Sequence, residues 1–161
     1  MKPILRVETM LAGEPVDRAP FCLYPQYDLD LLAGDVLASA VEAFVERYEP
    51  DVVAVPRCFD YTMPPNLSLD RASDLARFEL VHGRHGDWGH QQDAIRRVCR
   101  SYFGKRWVAA VVPSAWTQLH RLAGGRFLQE ALRENSGFLW QALDVLTRSL
   151  CAFHRQAIES G

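Results

Sequence analysis

The sequence contains no Cys-x-x-Cys pair, because its four cysteines, Cys22, Cys58, Cys99 and Cys151, stand far apart. That spacing excludes a zinc knuckle and a thioredoxin-type redox motif, and it fits reduced thiols in a cytoplasmic protein. Long apolar runs are missing as well. The densest, Val52–Val55 and Trp107–Val112, fall far short of the roughly 20 residues a membrane-spanning helix needs. The opening segment, with Lys2, Arg6 and Glu8, lacks the continuous apolar stretch of a signal peptide. There is no excess of one charge either: 18 Lys and Arg against 20 Asp and Glu leave a formal net charge of -2. No long-range field then draws the chain to phosphate backbones or anionic lipid, so neither nucleic acid nor membrane is expected as a partner. Repeats, low-complexity tracts and flexible linkers are absent. What remains is an ordinary folded composition, 161 residues with 48% hydrophobic and 24% charged, from which one domain with one core is expected.

Three short apolar runs, Phe21–Tyr24, Val52–Val55 and Trp107–Val112, each end at a proline, and none alternates polar with apolar. Such runs predict strands buried on both faces, as in a parallel sheet covered by helices, and the segments between them are long enough for helical crossovers. Leu31 to Tyr48 repeats Leu32, Val36, Leu37, Ala40, Val41, Phe44, Val45 and Tyr48 at helical spacing, with Pro50 as the stop. Further helices are predicted over Ser73–Val81, Asp87–Phe103 with Gly104 as a C-terminal cap, Arg126–Glu134 and Ser136–Glu159. The last is expected to bury Phe138, Leu139, Ala142, Leu143, Leu146, Leu150, Phe153, Ala157 and Ile158. Arg57–Leu69, with Pro64 and Pro65, is the longest irregular stretch. The order of elements stops where a fourth strand is due, which predicts a truncated α/β sheet with a free edge prone to association.

Three segments carry a resemblance. Arg6 to Pro20 contains Gly13-Glu14-Pro15-Val16-Asp17-Arg18-Ala19-Pro20, Pro113 to Leu119 reads Pro-Ser-Ala-Trp-Thr-Gln-Leu ahead of Gly124-Gly125, and the last helix closes on Phe153–Gly161. Together they resemble the start of the uroporphyrinogen decarboxylase superfamily. The resemblance implies a partial (β/α)8 TIM barrel: residues 1–161 as the N-terminal portion of the domain, with its first three βα units and parallel strands. It also implies one of two activities. One branch decarboxylates uroporphyrinogen, in porphyrin biosynthesis, without a cofactor. The other moves a methyl group between a corrinoid protein and a thiol bound to zinc.

Departures from the decarboxylase pattern tilt the expectation toward methyl transfer. That branch follows strand one with arginines that bind a substrate carrying eight carboxylates, whereas this chain has Leu23-Tyr24-Pro25-Gln26-Tyr27. Its aspartate after strand two is nearest to Asp60 here, at a longer spacing, and its tyrosine after the tryptophan falls on Arg121. The implied substrate is a small molecule, either a methylated corrinoid and thiol or a porphyrinogen, with a corrinoid protein as the partner of the first. The zinc of the methyl-transfer branch takes ligands from later strands, so no cofactor is expected within residues 1–161, and this portion alone is expected to be inactive. A reading of another class is a non-catalytic half-barrel module that completes its sheet with another chain.

Barrels of this type keep their working groups at the C-terminal strand ends. That rule selects Asp60 as the catalytic candidate, for orienting a substrate nitrogen or moving a proton. Tyr24, Gln26, Arg57, Tyr61, Ser114, Trp116, Gln118 and His120 are the substrate-binding candidates. Tyr27, Cys58 and Thr117 share the same mouth, and Trp116 with Tyr61 is suited to an apolar wall. His82, His85, Asp87 and His90 cluster, but at spacings that fit no helical pair or finger, so they read as a solvated connection rather than a metal site. Arg96-Arg97 and Lys105-Arg106 read as solvated charges.

Overall fold

The computed structural model describes residues 1–25, 34–57, 59–82 and 86–161. The chain divides into two compact units, one of residues 1–59, 84–112 and 156–161, the other of residues 60–83 and 113–155.

The first unit is built on a parallel sheet. Strands β1 (Cys22–Leu23), β2 (Val52–Val55) and β3 (Trp107–Ala110) lie side by side in chain order. Cys22 pairs with Val52, and Val52 to Val55 pair with Trp107 to Ala110. Helix α1 (Pro3–Leu11) precedes β1, with a proline in its first turn, where a missing N–H costs nothing. Helices α2 (Gly34–Tyr48) and α3 (Gly86–Tyr102) are the crossovers. Leu37, Ala38, Val41 and Val45 of α2 and Trp88, Ala94, Ile95 and Val98 of α3 are buried, as are Val53 and Val55 of β2. The two helices are also cross-tied: Arg97 donates to the Glu42 carboxylate at 2.6 Å, and Ser101 to its other oxygen at 2.7 Å. Arg97 is therefore an inter-helix clamp and not merely a solvated charge.

Mixed α/β architecture with parallel strands is as the sequence predicts, but the burial differs from expectation. Only β2 is enclosed. Both residues of β1 are exposed, and β3 alternates exposed with half-buried, Trp107 being 46% exposed. The uncharged runs reflect strand propensity here more than burial on two faces, because a border strand has a neighbour on one side only.

The second unit is helical. It holds a 3-10 helix over Ala72–Arg77, where an α-helix is expected from Ser73, then α4 (Ala115–Ala123), α5 (Gly125–Arg133) and most of α6 (Gly137–Glu159). Its buried side chains include Leu75, Phe78, Leu119, Leu128, Leu139, Ala142, Leu146, Leu150 and Phe153. Phe138 and Ile158 of α6, expected inside, are exposed, because the buried stripe follows Leu139, Ala142, Leu146 and Phe153 and leaves its flanks to solvent. Helix α4 occupies a segment expected to be loop. Gly124, at φ +77°, ends α4 and begins α5, a turn that only glycine makes without strain. Among the described residues, no helix is long and apolar enough to cross a membrane.

Candidate functional site

The N-terminal end of the sheet is closed by a charged staple. Asp51, fully buried just before β2, accepts from Arg18 at 2.5 Å, from the Phe21 amide at 3.0 Å and from Arg6. Arg6 in turn donates to both Asp17 oxygens, at 2.6 and 2.9 Å, and to the Met1 carbonyl at 2.7 Å. The Met1 ammonium reaches Asp17 at 2.9 Å. Burial works to raise the Asp51 carboxyl, but the hydrogen bonds from Arg18, Phe21 and Arg6 together outweigh it and hold the group below the usual carboxylate range. The Arg6 hydrogen bond does the same for Asp17, and Asp17 holds the Arg6 guanidinium above its ordinary value. Two residues of the Gly13–Pro20 motif, Asp17 and Arg18, thus do structural work.

At the opposite strand ends the first unit offers Tyr24 and Arg57. Tyr24 follows β1 and is exposed. Arg57 follows β2 and donates to the Phe59 carbonyl at 3.1 Å. That turn is held from α3, whose Gln91 carboxamide donates to the Pro56 carbonyl at 3.0 Å while the Trp88 ring packs on Phe59 with centroids 4.8 Å apart. Gln26, Tyr27, Cys58 and His85 lie outside the described residues.

The second unit brings the other candidates onto two short segments, Asp60–Tyr61 and α4. Ser114 caps α4, its hydroxyl accepting the Thr117 amide at 3.1 Å. One turn on, Gln118 reaches the Asp60–Tyr61 segment, and its Oε1 accepts the Tyr61 amide at 3.0 Å. Reversing the carboxamide would set two donors face to face, so this bond fixes which end is which. Among the described residues the Gln118 Nε2 then has no acceptor, in a side chain only 1% exposed. Three residues further along, Arg121 approaches the Asp60 carboxylate at 3.7 Å, with both side chains about half exposed. Gln118 and Arg121 therefore face the same two residues from one side of the helix.

Tyr61 is not part of an open wall. Its ring is buried and stacks on Phe78 with centroids 5.1 Å apart, and its hydroxyl donates to the Glu79 carbonyl at 2.7 Å and accepts the Glu79 amide at 2.8 Å. Burial pushes the phenol up, against the Glu79 backbone hydrogen bond, so it stays protonated. Trp116 is 41% exposed and free to meet a ligand, and His120 is exposed as well. The His120 ring lies so close to Gly125 that a Cβ there would stand 3.0 Å from Nε2. Gly125 thus makes room for the imidazole.

Three of these features leave no mark in the sequence pattern: the role of Arg6, the Gln118 grip on Tyr61, and the placing of Arg121 against Asp60. Each joins residues remote in the chain, 45 apart for Arg6 and Asp51 and 57 apart for Tyr61 and Gln118. Among the described residues no three His, Cys, Asp or Glu side chains gather in a way that could hold a metal ion, so the zinc implied by the resemblance finds no ligand set in them. Cys22 and Cys99 are free thiols that burial pushes up in pKa, which makes them poor nucleophiles. No family model matches the chain, and no curated protein matches it.

Proposed function

We propose that this protein is an α/β enzyme of the uroporphyrinogen decarboxylase superfamily type, acting on a small molecule and transferring a methyl group from a corrinoid to a thiol. The observation that carries the reading is the staple. Asp17 and Arg18, central to the resemblance, tie the segment leading into β1 to the start of β2, Arg18 by donating to Asp51 and Asp17 by holding Arg6, which donates to Asp51 as well. The motif is thus accounted for by a physical task that a parallel α/β sheet requires. The parallel order of β1, β2 and β3 supports the same reading.

Methyl transfer is preferred because the residues after β1 include no guanidinium to meet a substrate rich in carboxylates. The group at hand for a large flat ligand is the exposed aromatic ring at Trp116. In the transfer, the thiol loses its proton to solvent, the cobalt–carbon bond breaks, and the new carbon–sulfur bond leaves both electrons of the broken bond on cobalt. Decarboxylation is the second reading, favoured by Asp60, whose carboxylate stands half exposed beside Arg121.

Methylcobalamin and 2-mercaptoethanol, with zinc in the buffer, test the first reading, and uroporphyrinogen tests the second, each on a chain that carries the later strands of the barrel together with residues 1–161, since this portion alone is expected to be inactive. Protein-dependent loss of the methyl–cobalt absorbance with thioether formation is the expected result. Release of carbon dioxide from the porphyrinogen would replace it with the second reading, and silence in both assays would overturn the enzymatic reading.

A further inference from the structure

Strand β3 borders the sheet. Among the described residues it pairs with β2 alone, and no strand lies along its other side. From Trp107 to Val112 the chain runs without a charge, a glycine or a proline. None of these residues is buried: Trp107, Ala109 and Val111 are exposed and their neighbours half-buried. Proteins blunt such borders with charge, proline or a bulge, because free N–H and C=O groups in a row recruit another strand.

Charge placement says which strand. Lys105 and Arg106 stand directly before Trp107, and Pro113 and Ser114 follow Val112. A copy of the strand added parallel and in register would lay Lys105 beside Lys105 and Arg106 beside Arg106, an unfavourable pairing of like charges. A copy added antiparallel sets Lys105 opposite Pro113, and antiparallel pairing is what a two-fold axis generates, the symmetry of most homodimers. Residues directly opposite share a face of the sheet. An axis through Ala109 therefore sets Ala109 against Ala109 and Trp107 against Val111, a large ring beside a smaller side chain at each end of a small central pair. Moving the axis to Ala110 brings Pro113, which has no N–H, opposite Trp107. Moving it to Val108 draws Arg106 and Lys105 inward against Ala110 and Val111.

We infer that β3 is the pairing edge of a two-fold homodimer, in which a second copy of this chain adds its own β3 antiparallel with Ala109 on the axis. The inference concerns an edge that a closed barrel would give to a fourth strand, so a dimer counts for the open sheet and against the barrel, and its readout is mass and not turnover.

Light scattering on a size-exclusion column at tens of micromolar protein tests it. The expected mass is twice 18.3 kDa. Ala109→Lys and Ala109→Glu each place a charge opposite itself on the axis, and each is expected to run as a monomer with an unchanged far-ultraviolet circular dichroism spectrum. An equimolar mixture of the two is expected to regain the dimer, which also shows that both variants fold. Val111→Lys, away from the axis, is expected to weaken association about tenfold. A monomeric parent chain, open-ended aggregates in its place, a dimer that tolerates both charges, or a mixture that stays monomeric would each overturn the inference.

Discussion

Tyr61 illustrates how one side chain can be fully occupied without touching a ligand. Its hydroxyl satisfies both the amide and the carbonyl of Glu79, a residue 18 positions away, while its own amide is held by Gln118. Tyr61→Phe keeps the ring on Phe78 but leaves a backbone donor and acceptor of Glu79 unsatisfied, which should lower stability by about 1–3 kcal/mol. Urea unfolding measures this directly, and a variant as stable as the parent would show that solvent serves Glu79 equally well. At this scale the sequence was partly legible. Strand-end placement picked out Tyr61 and Gln118, but not that they hold each other. A hydrogen bond across 57 residues leaves no periodic trace, and the same is true of Arg6 with Asp51.

Helix α4 shows what is legible in an element and what is not. The strands could be read from apolar runs ended by proline, and α2, α3 and α6 from their spacing, because those signals extend over many residues. Helix α4 is only nine residues long and follows Pro113, so its segment looked like loop, although Ser114 ahead of Thr117 is a usable start signal. The cap makes the element testable. Ser114→Ala removes the acceptor for the Thr117 amide and should cost about 0.5–2 kcal/mol. Thermal or urea unfolding would register that loss, whereas an unchanged midpoint would mean the first turn of α4 is held by other means. Since Gln118 lies one turn after the cap, loosening of this turn should also be visible as faster hydrogen exchange at the Tyr61 amide.

For the molecule as a whole, the two carboxylates of the staple, Asp51 and Asp17, both shape the response to acid. The folded pKa of Asp51 is lowered, so by linkage its contribution is complete above the unfolded value of about 3.9 and is lost as pH falls through the lower folded value. Asp17 acts in the same direction. The parent chain should therefore lose stability steadily as pH is taken from about 5 toward 2. Asp51→Asn should lower stability at neutral pH by removing one of the two carboxylates that Arg6 donates to and the one that Arg18 donates to, and should flatten that acid dependence. Urea titrations at several pH values give both quantities, and an acid slope identical to the parent's would refute the assignment.

The same aspartate has a consequence in time. Its ties to Arg6, Arg18 and Phe21 each span 30 residues or more, so the opening of the chain cannot be secured while residue 51 is still unmade. During synthesis, Arg6 and Arg18 wait for a carboxylate that emerges only after α2. Its arrival then closes three separate segments around one point. The sheet is thus seeded from its second strand, and the segment ahead of β1 is locked only when β2 arrives.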